Sequence, residues 1–499
     1  MAVNLDTGSS DLWVISDTCS INSCEGSTAP RYPTDSMRAA GADVDLFYGD
    51  SKTGTFAGGS VALETVCVAG MAMRDQQFLI ANDTTNEIVQ FETSGIFGLG
   101  FPSASRVQEV TTKKRPDDST DVMIEATDSH GPLIPRMAMT GALQSPMFSI
   151  TLQRNTIDLS GEGLLTVGKL PDGIDNTSLT WVPVRLYRPE EGGMVPPTYA
   201  PDEVYPYRWE IDIEGVFIDG KRLPQSRIPA IDVDSSRTSA LLDTGNSLLR
   251  GPVDVVNKIL GTVSQSFNPR AQYPLATLPC NVPHSLAFQI GGKVFPIDPR
   301  DFIGQLRTGD AVTCKADNLV STDAPSIGTL FRWSLGAPFF RSNLVAFYYG
   351  NLTHPSVDPP RIGIRSNVPP NAGELLQQAV QNAVKNGGNF PRMVVAKYPC
   401  LLLTSPLDAM LPAPTDSVSN KPIFLDPGDD NVPQTIPPSQ TGTAYNISPG
   451  RVYTPSSPTS TNSANSGSQP AVTSPYSTST CILFAATSSF LLFFMGSIA

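Results

Sequence analysis

Short apolar runs broken by Gly, Pro, Asn and Asp recur through residues 1–366. Met147-Phe148-Ser149-Ile150-Thr151-Leu152 and residues 210–218 alternate with a period of two, and Leu344-Val345-Ala346-Phe347-Tyr348-Tyr349 reads as a buried strand. This patterning predicts a mainly β core. Helical patterns are few. Residues 132–143 and 253–260 are short candidates, and residues 373–385, closed by Gly387-Gly388, form a clearer one. Residues 113–130 read as a polar, exposed loop, and residues 187–207 as a second, Pro-rich insertion.

The pattern changes beyond the β region. Residues 431–480 are dominated by Pro, Ser, Thr, Asn and Gln, with no acidic residue after Asp430 and no basic one after Arg451. Such a composition buries too little apolar area to offset chain entropy, which predicts an extended stalk open to O-glycosylation. Residues 481–495 are apolar, and Asn465-Ser466-Gly467 or Ser466-Gly467-Ser468 lies upstream across a polar spacer. That order matches a lipid-anchor (GPI) attachment signal. A true membrane span is the competing reading, weakened by Thr487-Ser488-Ser489 and by the lack of flanking basic residues. A secreted stalk with an apolar end is the third.

Of the 499 residues only 16% are charged, against about 25% in average globular chains. The net charge is −13, which argues against nucleic acid as a partner. Three scattered histidines, His130, His284 and His354, make a His-rich metal site a poor reading, and no metal or cofactor is expected. Met1 runs straight into the first motif without a charged leader or cleavage site. Yet four glycosylation sequons begin at Asn82, Asn176, Asn351 and Asn446, and the cysteines fall into close-loop pairs. The chain is therefore expected to lack its natural N-terminus and to belong to the secretory pathway, at the extracellular face of the membrane or in the wall.

One self-similarity carries the chemistry. Leu5-Asp6-Thr7-Gly8-Ser9-Ser10 recurs 237 positions later as Leu242-Asp243-Thr244-Gly245-Asn246-Ser247. Each copy is followed further on by an apolar-Gly segment, Ile96-Phe97-Gly98 and Ser334-Leu335-Gly336. One Asp-Thr-Gly is an ordinary turn sequence; two partnered copies are not. Two carboxylates facing each other in a low-dielectric cleft share a proton. The ionised one can take a proton from water while the protonated one donates to a carbonyl oxygen. Gly8 and Gly245 would allow the tight turns, and Thr7, Ser9, Thr244 and Asn246 would hold the carboxylates by hydrogen bonds.

Asp6-Thr7-Gly8-Ser9-Ser10-Asp11-Leu12-Trp13-Val14 closely resembles the first active-site segment of the pepsin-like aspartic endopeptidases, and Leu242-Asp243-Thr244-Gly245-Asn246-Ser247-Leu248 the second. The resemblance spans residues 5–364 and implies an all-β, bilobal fold with a cleft between two related lobes. It implies lobes at 1–181 and 182–366; beyond it the composition places a linker with a short helix at 367–430, the stalk at 431–480 and the apolar tail at 481–499. Leu46-Phe47-Tyr48-Gly49-Asp50 is similar to the tip of the family's flap hairpin. Tyr48 would be the flap tyrosine, Trp13 its hydrogen-bonding partner, and Gly49 and Asp50 contacts for the peptide backbone. Cys19–Cys24 and Cys280–Cys314 match family disulfides. Trp181-Val182-Pro183-Val184 resembles the crossing between lobes, and Arg361-Ile362-Gly363-Ile364 the last strand. The implied activity is endopeptidase action, at acidic pH and without metal, on peptides apolar around the scissile bond, by a monomer.

Some positions depart from the family pattern. Only five residues precede Asp6, where the family has a longer stretch with a signal and pro-segment. Asn246 stands where Thr or Ser is usual, and Ala337 and Ser94 stand where Asp is common. Asn4 lies near an apolar pocket position. Asp11, Asp50 and Asp234 read as structural or rim acids, and Cys67 as a buried thiol. The alternative to a peptidase is a catalytically impaired pepsin-fold protein of the cell surface, serving in binding or structure.

Overall fold

In the computed structural model the described residues are 1–112, 120–154, 157–159, 163–234 and 236–391, with 482–483 and 485–486. The stalk and the rest of the tail, with Asn446 and Cys400, lie outside them.

The sequence repeat is a repeat of topology. In the first half, strand Ala2–Asp6 runs parallel to Gly95–Gly98, with Leu5 opposite Phe97 and Asp6 opposite Gly98. Leu12–Ile15 returns antiparallel on the other side of Gly95–Gly98. In the second half, Ser239–Leu242 runs parallel to Trp333–Leu335, with Leu242 opposite Leu335, and Leu249–Gly251 returns antiparallel. All four residues of Leu12–Ile15, Gly95–Gly98 and Ser239–Leu242 are buried, as continuous apolar runs require. The partner glycines are dictated by space. A Cβ on Gly98 would lie 2.4 Å from the Asp11 nitrogen, and one on Gly336 2.2 Å from the Asn246 and Leu248 oxygens.

A five-stranded antiparallel sheet joins the halves, in the order Leu164–Val167, Met147–Thr151, Asn343–Tyr348, Arg361–Ser366, Thr180–Pro183. It thus takes strands from both sides of residue 181. Above it sits an aromatic cluster. Phe148 and Phe347 stack at 4.7 Å, and Trp209 meets Phe347 and Tyr349 edge-on at 5.0 Å. Trp209 Nε1 and the Tyr349 hydroxyl both donate to the Leu99 carbonyl at 2.8 Å, so the cluster carries no orphaned polar group there. Each fully buried ring of this size contributes roughly 1.5–3 kcal/mol. The fold is predominantly β, as the sequence pattern predicts, and bilobal, as the family resemblance implies.

Helices form at Leu133–Met139, Val253–Val263 and Ala372–Lys385, close to the expected spans. The last is more than a linker element: Leu376, Val380 and Ala383 are buried in the main hydrophobic core. The expected exposed loop at 113–130 is also corrected. Its described part forms helices Thr120–Glu125 and Thr127–His130, with Met123, Ile124 and Thr127 buried. Gln108 Nε2 donates to Met123 O at 2.8 Å and Thr127 Oγ1 at 2.9 Å, tying them to the first lobe. Within the Pro-rich insertion, Leu186–Tyr187 pairs with Tyr205–Pro206.

Both expected disulfides form, Cys19–Cys24 and Cys280–Cys314. Cys67 is disulfide-bonded, not a buried thiol. Of the tail, Ile482–Leu483 lies parallel to strand Thr55–Val68 and Ala485–Ala486 parallel to Ala2–Asp6. No helix among the described residues is long and apolar enough to cross a membrane.

Candidate active site

Each Asp-Thr-Gly follows directly from a buried strand, so the turn delivers its carboxylate to the floor of the groove between the lobes. The groove encloses about 1050 Å³ and is lined by Asp6, Asp243, both motif loops and residues 47–55 of the flap hairpin. The loops meet closely. A Cβ on Gly8 would lie 2.6 Å from Asp243 Oδ1, and one on Gly245 2.3 Å from Asp6 Oδ1. Only glycine lets each loop pass beside the opposite carboxylate.

Asp6 Oδ1 accepts from Gly8 N at 2.8 Å and Asp6 Oδ2 from the Ser9 hydroxyl at 2.5 Å. Asp243 Oδ1 accepts from Gly245 N at 3.0 Å and Asn246 N at 3.2 Å. Ser9 therefore meets the expectation. Thr7 and Thr244 do something different: they bond to each other's loop, not to the carboxylates. Thr7 N donates to Thr244 Oγ1 at 3.1 Å and Thr244 N to Thr7 Oγ1 at 3.0 Å. Their hydroxyls donate onward to Leu242 O at 2.7 Å and Leu5 O at 2.8 Å. The Asn246 side chain likewise turns away from Asp243. Its Nδ2 donates to Ser334 Oγ at 2.8 Å, and its Oδ1 accepts from Leu248 N at 3.1 Å and Arg250 Nε at 3.2 Å.

Desolvation at the groove floor pushes the Asp243 carboxyl well above the usual carboxylate range, and the neighbouring Asp6 charge pushes it further. Two like charges this close do not coexist, so the pair retains one proton.

Tyr48 is half-buried at the end of strand Arg38–Tyr48. Burial, then the Asp6 charge, raises its phenol pKa, so it remains a donor. Its ring lies 6.4 Å from that of Trp13. The Trp13 Nε1 is buried and faces the Tyr48 hydroxyl, the place the expected partnership gives it. Gly49 turns at φ +83°, and Asp50, which lines the groove, pairs with Arg250 at 2.9 Å. Arg208 is a groove residue that sequence reasoning missed; its Nε donates to Gly328 O at 2.9 Å. No motif marks it, because only the folded chain brings it to the groove.

The structural acids sit as expected. Asp11 is buried, accepts from Ser105 Oγ at 2.5 Å and Arg106 N at 2.8 Å, and is pushed up to about 6 by desolvation. Asp234 accepts from Ser236 N at 3.1 Å. Among the sequons, Asn82 is exposed. Asn176 accepts from Trp181 Nε1 at 2.7 Å and is half-buried. Asn351 departs from the expectation. It is 1% exposed and accepts from Thr353 N and His354 N at 3.0 and 2.8 Å, so in the folded chain it braces a turn and offers no surface amide to a glycan.

Comparison with known proteins agrees with this geometry. A family model described as eukaryotic aspartyl protease matches residues 1–354. The chain is 24% identical over 363 residues to the major aspartyl peptidase 1 of Cryptococcus neoformans var. grubii, covering 70% of this chain and 63% of that protein. It is 27% identical over 354 residues to gastricsin of Mus musculus and 27% over 353 residues to pepsin A of Sus scrofa, each match covering 70% of this chain and 75% of the relative. With paired carboxylates delivered by a duplicated strand-turn unit and a match along most of its length, the chain belongs to the eukaryotic aspartyl protease family.

Proposed function

We propose that this chain is an aspartic endopeptidase working through Asp6 and Asp243. The observation that carries the reading is the interlocked pair of Asp-Thr-Gly loops, in which each glycine abuts the opposite carboxylate and Asp243 is driven to retain a proton. A water between the carboxylates gives one proton to the ionised member as its oxygen attacks the peptide carbonyl carbon. The protonated member gives its proton to the carbonyl oxygen, forming a gem-diol. Collapse then breaks the C–N bond as the amine takes a proton from the protonated member while one gem-diol hydroxyl gives its proton to the ionised member, which releases a carboxylic acid and an amine and restores the one-proton pair. No covalent enzyme intermediate arises. Which carboxylate holds the proton is a property of the pair, with Asp243 favoured by its desolvation. Phe47, Ile88, Ile96, Leu248 and Phe331 in the groove wall support substrates apolar around the scissile bond.

In this reading residues 1–181 and 182–366 act as two lobes of a monomer. The disulfides support an oxidising, extracytosolic compartment. The Ser/Thr/Pro-rich stalk and apolar tail would hold the enzyme at the cell surface through a lipid anchor, with Asn82, Asn176 and Asn446 as glycan sites. Turnover of an apolar peptide near pH 4, lost in Asp6→Asn and in Asp243→Asn, tests the chemistry. Variants that cleave as well as wild type overturn it. Release from intact cells by phosphatidylinositol-specific phospholipase C tests the anchor.

A further inference from the structure

The tip of the flap hairpin is tied to the opposite lobe at two points. Asp50 Oδ2 accepts from Arg250 Nη1 at 2.9 Å. One residue on, Asp323 accepts from Ser51 N at 2.9 Å and from the Ser51 hydroxyl at 2.8 Å, one bond to each carboxylate oxygen. These partners are 200 and 272 residues apart in sequence.

Neither anchor is on an independent loop. Arg250 lies on strand Leu249–Gly251, which pairs with Leu319–Ser321 so that Arg250 is opposite Val320. Asp323 follows that second strand by two residues. One anchor therefore stands on a strand and the other just past the end of the strand paired with it. Arg250 is also oriented from below, where its Nε donates to Asn246 Oδ1. Asn246 in turn donates its backbone N–H to Asp243. An amide suits this place because its nitrogen serves Ser334 while its oxygen accepts from both Leu248 and Arg250.

The hairpin presents its side of the contact in a fixed geometry. Asp50 Oδ1 is saturated by Lys52 N at 3.0 Å, Thr53 N at 2.9 Å and Thr53 Oγ1 at 2.8 Å, which leaves Oδ2 for the guanidinium. The side chains of Arg250 and Asp50 are only 21% and 14% exposed, so this pair is less screened than a surface ion pair.

We propose that Arg250 and Asp323 are positioning residues, a two-point latch by which the second lobe holds the flap, and with it Tyr48, closed over Asp6 and Asp243. The latch must release for a peptide to reach the groove, and it re-forms over the bound chain. Its catalytic consequence rests on the peptidase reading; its existence does not. Loss of the latch leaves the apolar groove residues Ile88, Ile96, Leu248 and Phe331 in place while Tyr48 loses its fixed place above the carboxylates. The effect should therefore fall on kcat rather than on KM.

The test pairs hydrogen exchange with kinetics on the full chain. Arg250→Ala and Asp323→Ala should each speed amide exchange in residues 46–55 by about tenfold, with exchange in the interlobe sheet unchanged. Arg250→Lys should recover most of the protection. In the same variants kcat should fall about tenfold with KM changed less than about twofold. Unchanged exchange at 46–55 in both alanine variants overturns the latch, whatever the activity. Faster exchange there, in a protein whose wild type cleaves no peptide, upholds the latch and removes the peptidase reading instead. Should Arg250→Ala fail to fold, Asp323→Ala, at an exposed position, decides the matter alone.

Discussion

Thr7 and Thr244 each receive the other's backbone N–H on their hydroxyl, at 3.0 and 3.1 Å, while passing their own hydrogen to a carbonyl of the opposite strand. Two residues 237 positions apart thereby fix how far Asp6 lies from Asp243. The carboxylates need no direct clamp from these threonines, because the loops that carry them are locked together.

Removing one hydroxyl breaks two of the four bonds and strands a buried N–H and a buried carbonyl. Thr7→Val should cost about 2–6 kcal/mol of stability, counting roughly 1–3 kcal/mol for each of the two stranded groups. Denaturant unfolding measures this, and kcat should fall with it because the carboxylate spacing is no longer fixed.

Asp11 and Asp243, both buried, each contribute stability at low pH. Asp11 ionises near 3.8 as a free carboxyl and near 6 when folded. The folded chain therefore keeps a proton that the unfolded chain releases between those values. The stabilisation is full below the lower value and lost as pH rises through the upper one, on the order of 3 kcal/mol. Asp243 has the same sign. Unfolding curves between pH 3 and 7 should show the wild type losing stability relative to Asp11→Asn as pH rises. A wild type that gains stability relative to Asp11→Asn as pH rises would contradict this.

Gly49 turns the flap tip at φ +83°, and a Cβ there would lie 2.4 Å from Thr53 O. Gly49→Ala should distort the hairpin tip at a local cost of about 1–2 kcal/mol. The thermal midpoint should move little, because the tip is exposed, whereas kcat/KM should drop at least about tenfold.

The Cys280–Cys314 bridge spans 34 residues of the second lobe. Chain-entropy reasoning assigns it about 3–4 kcal/mol, and the five-residue Cys19–Cys24 loop less. Cys280→Ser with Cys314→Ser should therefore destabilise more than the paired Cys19→Ser and Cys24→Ser change, as read from denaturant midpoints.

Much was legible without coordinates. The two Asp-Thr-Gly copies are local signals, since turn, carboxylate and preceding apolar strand all lie within about one strand length. Gly98 and Gly336 were visible as repeats, although the reason for them, an adjacent backbone with no space for a Cβ, was not. The helices at 120–130 escaped notice because each is only a turn or two long and gains its burial from the rest of the first lobe.

By itself the sequence determined the β character, the duplicated motif, the pair of acids and the family resemblance, because each is written in contiguous residues. Only the tertiary structure decided that Thr7 grips Thr244, that Asp50 meets Arg250 and Ser51 meets Asp323, that the Trp13 ring packs against Tyr48, and that Asn351 is buried. These contacts depend on which surfaces two lobes bring together when their apolar faces leave water. That outcome is set by the packing of the whole chain, not by any local run of it.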